Sequence, residues 1–249
     1  MAGQGLTMRD GSAPARARLS PELVALCERP EPRQGPEPGL AYFTDGDYQA
    51  AADRFLAEAG DGPFWVFAYG SLLWRPAFEA RAKHLAQAEG WRRDFCMEIR
   101  RWRGSPEQPG LMMGLRKGGT CSGAVLQLAH DDRRGQLVRL LQREVDTGED
   151  LQSVRWIEAD TSLGRVRALA CWAEPVMSRM FVEKPIAEQA RMLARACGFG
   201  GSGAAYLHRT VASLAGLGLE DAYLTAIDKL VAEEVIRRTG FKVSSIPGR

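Results

Sequence analysis

Histidine and closely spaced cysteine are what this sequence has least of. Its three histidines, His84, His130 and His208, stand far apart and offer no clustered ligands for a metal. The five cysteines, Cys27, Cys96, Cys121, Cys171 and Cys197, are odd in number and scattered, with no C-x-x-C pair. That argues against a zinc site or a disulfide framework and for a reducing compartment. No apolar run is long enough to span a bilayer, and the N-terminal arginines lead into no apolar signal core. With 33 basic against 31 acidic residues, the net charge of +2 gives little electrostatic drive toward nucleic acid. The expectation is a soluble cytoplasmic protein with no metal, cofactor, membrane or nucleic-acid partner. At 45% hydrophobic over 249 residues, it has enough apolar matter for a sizeable core.

The chain is organised around Phe64-Trp65-Val66-Phe67-Ala68-Tyr69-Gly70-Ser71-Leu72-Leu73-Trp74. An apolar, aromatic and β-branched run that stops at Gly-Ser reads as a buried strand ending in a tight turn. Gly70 lets another group approach the backbone, and successive N–H groups there can cradle an anion. On the pattern alone, an ordinary core strand with a polar turn is the simpler reading.

Residues 1–19 are rich in Gly, Ala, Pro and Arg and read as a disordered tail. Ser20-Pro21 then caps a short helix, 29–39 reads as a Pro/Gly linker, and 47–58 as a helix. Short strands are expected at 84–89, 91–100, 111–116, 121–128, 153–159 and 165–173, the last with Val166, Ala168, Ala170 and Trp172 on one face. Helices are expected at 186–197, 203–217 and 220–239. Gly198-Phe199-Gly200-Gly201-Ser202-Gly203 lacks the Gly-Lys-Ser/Thr ending of a phosphate loop and reads as a helix C-cap and turn. The basic, aromatic-interleaved stretch from Trp91 to Arg103 reads as a solvated strand face, with one or two arginines free to meet an anionic substrate. A nucleic-acid surface is the lesser alternative.

One helix, 131–146, interrupts the strands, and Leu137, Leu140, Leu141 and Glu144 fall on one face of it. Glu144 thus sits on a leucine stripe, where burial raises a carboxyl pKa toward the range useful for proton transfer. The alternative is a helix-end acid paired with an arginine and without catalytic role.

The order and spacing of Val66-Phe67-Ala68-Tyr69-Gly70-Ser71-Leu72-Leu73-Trp74-Arg75-Pro76, Gly90-Trp91-Arg92-Arg93-Asp94-Phe95-Cys96, Arg103-Gly104-Ser105-Pro106-Glu107-Gln108-Pro109-Gly110 and Arg143-Glu144 resemble the ChaC-type glutathione-specific γ-glutamylcyclotransferases over about residues 64–240. The resemblance implies an α+β fold, a small mixed β-barrel with flanking helices and a C-terminal helical segment. It implies a tail and linker over 1–61, a catalytic domain over 62–240 and a C-terminal tail over 241–249. It further implies cofactor-free cleavage of glutathione to 5-oxoproline and cysteinylglycine by a monomer or weak homodimer. Glu144 would be the acid/base, and Val66, Phe67, Ala68, Tyr69, Gly70, Ser71, Leu72, Arg103 and Tyr206 would bind substrate. The sequence departs from the family pattern at Ala68, Trp102, Leu111 and Asp150. Those departures keep open a different γ-glutamyl substrate or a non-catalytic module that retains the ligand loop.

Overall fold

The computed structural model describes residues 17–174 and 179–242. Its centre is a closed five-stranded barrel in the order β1-β3-β2-β4-β5. These are β1 Trp65–Ala68, β2 Ala82–Ile99, β3 Gly110–Gln127, β4 Arg155–Thr161 and β5 Gly164–Ala170. Neighbours are antiparallel except β1 and β5, whose parallel pairing at Trp65–Ala168 and Val66–Leu169 closes the ring. Closure leaves no free sheet edge on the barrel.

The unbroken apolarity of β1 has a simple cause, since both of its faces are covered. Trp65, Phe67 and Tyr69 join one core cluster, while Val66 and Ala68 join another beneath two helices, α2 Asp45–Ala59 and α3 Arg133–Glu144. In α3, Leu137, Leu140 and Leu141 are fully buried, as the helical stripe requires. A capping box between Thr44 and Asp47 starts α2 two residues ahead of the sequence-based estimate.

The sequence suggests four strands where there are two. β2 runs through Gly90, and β3 runs through Gly118 and Gly119, with the register slipping between Glu89–Thr120 and Trp91–Lys117. All three glycines have positive φ, so both strands bend together at a bulge and the ladder continues beyond it. The upper half of this hairpin rises out of the barrel and forms one wall of the cleft described below.

Three C-terminal helices, α5 Ile186–Arg195, α6 Gly203–Gly216 and α7 Ala222–Thr239, pack against that hairpin and against one another. The glycine stretch after α5 is a small antiparallel ribbon, Cys197–Gly198 with Gly201–Ser202, where the sequence suggests a helix cap and turn. Ala196 already has extended backbone, and Ser202 caps α6 by accepting from the Ala205 N–H at 3.0 Å.

Residues 1–16 of the expected tail lie outside the described residues. Ala17 and Leu19 do not behave as tail: both are buried, with Leu23 of the Pro21–Ala25 helix and Cys27, in the cluster formed by α6 and α7. The Leu19 N–H bonds Asp228 on α7 at 3.3 Å. Among the described residues, no helix is long and apolar enough to cross a membrane.

Candidate active site

A cleft of about 910 Å³ opens where the end of β1, the tip of the β2–β3 hairpin, the end of α3 and the first turn of α6 converge. At its floor, β1 runs into a turn at Tyr69-Gly70 and a short 3₁₀ segment, Ser71–Leu73. Gly70 is required by a close approach. A Cβ there would lie 2.9 Å from the Tyr206 hydroxyl oxygen. Tyr206 is 2% exposed and stands edge-on to Trp74 and Phe95. Burial pushes its pKa up to about 12, opposed in part by Arg103 and the nearby Ser71 backbone. The phenol therefore keeps its proton at neutral pH and can donate it into the cleft.

Glu144 ends α3, and its side chain keeps 11% of its surface open. Oε2 accepts a hydrogen bond from Trp172 Nε1 at 3.2 Å. Oε1 is buried and accepts none, although Arg143 Nε lies 3.2 Å away. Burial raises the Glu144 pKa above its ordinary value, opposed in part by Arg143 and the Trp172 bond. The arginine-paired alternative is thus present as a contact but does not cancel desolvation. Arg143 is committed elsewhere, donating to Ser71 Oγ at 2.8 Å and to the Arg75 carbonyl. Two helix-end residues thereby reach opposite sides of one turn, Arg143 tying it down and Glu144 facing the same cleft.

Arg103 is 7% exposed and lies over the rings of Tyr206 and Trp74 at 5.2 and 5.8 Å. It donates to the Ser202 carbonyl at 3.2 Å, and burial pulls its pKa below the ordinary value. Glu28 acts on it at longer range without forming a salt bridge among the described residues, which leaves a cation on the cleft wall suited to an anionic ligand.

Of the sequence-derived site residues, Tyr69, Gly70, Ser71, Leu72, Arg103, Glu144 and Tyr206 line this cleft. Val66, Phe67 and Ala68 do not. They are fully buried strand residues that fix the turn by pairing with β3, and their side chains are spent in the core. The Tyr69 side chain is also structural, its hydroxyl donating to the Cys171 carbonyl at 2.7 Å. Among the departures from the family pattern, Trp102 and Asp150 line the cleft, whereas Ala68 and Leu111 are core. Asp150 completes the capping box of a four-residue helix, Gly148–Leu151, capped by Thr147, its carboxylate accepting from the Thr147 N–H at 3.0 Å. Periodicity did not reveal this helix.

Two supporting residues escaped sequence reasoning. Trp172 looks like the next member of an alternating strand face, but β5 ends at Ala170 and Trp172 has φ +63. That left-handed turn takes its indole off the strand face to Glu144. Arg93, grouped by sequence with solvated arginines, is 3% exposed and donates to the Tyr69 carbonyl at 2.7 Å. Its place between bulky apolar neighbours of β2 was the available signal. Glu37, from the expected linker, also lines the cleft, and Arg179 pairs with it at 3.2 Å.

The ChaC-like protein family matches residues 64–234. The glutathione-specific gamma-glutamylcyclotransferase of Escherichia coli (strain K12) is 33% identical over 213 residues, covering 82% of this chain and 91% of its own. Glutathione-specific gamma-glutamylcyclotransferase 1 of Homo sapiens is 29% identical over 204 residues, covering 80% of this chain and 86% of its own. A crystal structure of a yeast gamma-glutamyl cyclotransferase specific to glutathione superposes with a TM-score of 0.63 at 18% identity, over 70% of this chain and 97% of that one. At that identity the superposition establishes the shared fold.

Proposed function

This chain belongs to the ChaC-like family, and from that premise we propose that it cleaves glutathione to 5-oxoproline and cysteinylglycine. The observation that carries this reading is a carboxylate with a raised pKa, Glu144, in one cleft with the Tyr69–Ser71 turn. The reaction is intramolecular. The substrate's α-ammonium loses a proton to Glu144, and the free amine attacks the γ-carbonyl carbon. The new C–N bond closes the lactam. As the γ-amide C–N bond breaks, Glu144 returns its proton to the departing cysteinyl nitrogen. The ring nitrogen then gives up its second proton to Glu144, which passes it to the freed amine. This leaves a neutral lactam, cysteinylglycine as its ammonium and an ionised Glu144. One carboxyl group with an elevated pKa serves both steps, and such proton transfer contributes about 10²–10⁴-fold to rate. Folding the glutamyl chain so that amine and carbonyl meet supplies much of the remainder.

Gly70 N–H and the Tyr206 hydroxyl, both on the cleft wall, are the donors for the glutamyl α-carboxylate. Arg103 adds a buried positive charge to the same wall. The five cysteines are free and buried, which supports residence in the reducing cytoplasm. The resemblance to the family further suggests a monomer or weak homodimer. Trp102 and Asp150 border the cleft, and this favours, as a second reading, a γ-glutamyl compound with another leaving amine.

Purified protein incubated with glutathione, with equimolar γ-glutamyl dipeptides as competitors, tests both readings. Release of 5-oxoproline and cysteinylglycine in equal amounts supports the first. Preferential consumption of a competitor supports the second, and no 5-oxoproline from any of them overturns both.

A further inference from the structure

Arg93 does not line the cleft, yet its side chain holds the backbone of the substrate turn. Its buried guanidinium makes three hydrogen bonds. Nε donates to the Tyr69 carbonyl at 2.7 Å, Nη1 to Asp221 Oδ2 at 2.8 Å, and Nη2 to the Ser122 carbonyl. Asp221 is itself the N-cap of α7, its other oxygen accepting from the Leu224 N–H at 3.0 Å. The arginine is thus fixed at both ends, to a helix start and to the barrel strand β3.

A trans peptide points its carbonyl and the following N–H in opposite directions. Holding the Tyr69 carbonyl toward Arg93 therefore turns the Gly70 N–H away from Arg93, to the side on which Gly70 borders the cleft. No group of the described residues accepts from that N–H. An unbonded N–H at the floor of a cleft is costly unless a ligand satisfies it. Without Arg93, the Tyr69–Gly70 peptide could rotate its carbonyl into the cleft and oppose an anion there.

We propose that Arg93 is a positioning residue that sets the Tyr69–Gly70 peptide so that its N–H receives the substrate's α-carboxylate. This rests on the glutathione-cleaving reading for its ligand, but the peptide orientation itself is a property of the free protein. Arg93 touches no reacting atom. Its loss removes binding common to ground and transition states, which raises KM more than it lowers kcat.

The test uses the full chain with Arg93→Gln, Arg93→Lys and, as a stability control, Val231→Ala, a cavity in the buried face of α7. The expected results are a KM for glutathione raised about tenfold to a hundredfold in Arg93→Gln, partial recovery in Arg93→Lys, and an unmoved acid limb of the pH profile. Val231→Ala should lower the melting temperature with KM unchanged. In ligand-free ¹⁵N-glycine-labelled protein, the Gly70 amide resonance should shift in Arg93→Gln and not in Val231→Ala. A KM within twofold of the parent in Arg93→Gln overturns the proposal, as does an equal rise in Val231→Ala. If the parent protein proves inert toward glutathione, the function reading fails, and the Gly70 resonance still decides the positioning role: no shift in Arg93→Gln overturns it.

Discussion

Trp172 Nε1 donates to Glu144 Oε2 at 3.2 Å while the second oxygen of the same carboxylate is buried without a hydrogen bond. One oxygen is oriented by a hydrogen bond, and the other has Arg143 Nε at 3.2 Å but no aligned hydrogen bond. That asymmetry holds the group in place and still disfavours its charge, which is the compromise an acid/base carboxyl needs.

Removing the charge should therefore stabilise the fold. A carboxyl whose folded pKa lies above its unfolded value contributes stability at low pH that is lost as pH rises through the folded pKa. Desolvation raises the Glu144 pKa, so the wild type bears this loss at pH 7 and Glu144→Gln does not. Thermal unfolding at pH 7 should give Glu144→Gln a midpoint equal to or above that of the wild type. A clearly lower midpoint would mean that the ionised carboxylate is a structural ion pair.

Trp172→Phe keeps an aromatic ring and removes the one hydrogen bond that favours the Glu144 carboxylate. The Glu144 pKa should rise further. In a pH–rate profile, the acid limb of kcat/KM should move to higher pH, with activity recovered on the alkaline side. An unmoved limb would show that Trp172 does not tune Glu144.

Gly70→Ala places a Cβ 2.9 Å from the Tyr206 oxygen, closer than side chains normally come. Overpacking of this kind costs about 1–3 kcal/mol. Tyr206→Phe in the same chain should restore most of that stability but not turnover, because the donating hydroxyl is gone. Denaturant unfolding alongside steady-state kinetics would separate the two effects.

Ser71→Ala should be mild. The Ser71 hydroxyl accepts from Arg143 at 2.8 Å, while the residue's contact with Tyr206 is made by backbone. Losing a partly exposed hydrogen bond to a charged group should lower kcat/KM by no more than about tenfold. A loss as large as that of Glu144→Gln would give the hydroxyl a direct chemical role.

Much of the site was legible because it is local. The β1 run and its Gly-Ser stop, and the leucine stripe that carries Glu144, are short-range patterns whose period states which face is inside. What was not legible depends on distant partners. Gly90 and the Gly118-Gly119 pair look like strand ends, and only the pairing that resumes on either side of them, Glu89 with Thr120 and Trp91 with Lys117, shows that they bend one continuous ladder. Trp91 and Phe95 on its face of β2 hint that Arg93 is buried, but what it does there appears only when Tyr69, Ser122 and Asp221 supply acceptors around it. Trp172 keeps step with its strand until a single residue of positive φ redirects it. The resemblance brought in Tyr206, which periodicity alone would have left as one more buried residue of α6.

The most direct test is to measure 5-oxoproline released from glutathione by the purified protein and by Glu144→Gln side by side at neutral pH. Steady release by the wild type and a rate lower by about 10²–10⁴-fold in the folded variant are expected. Comparable release by both would contradict a proton shuttle at Glu144.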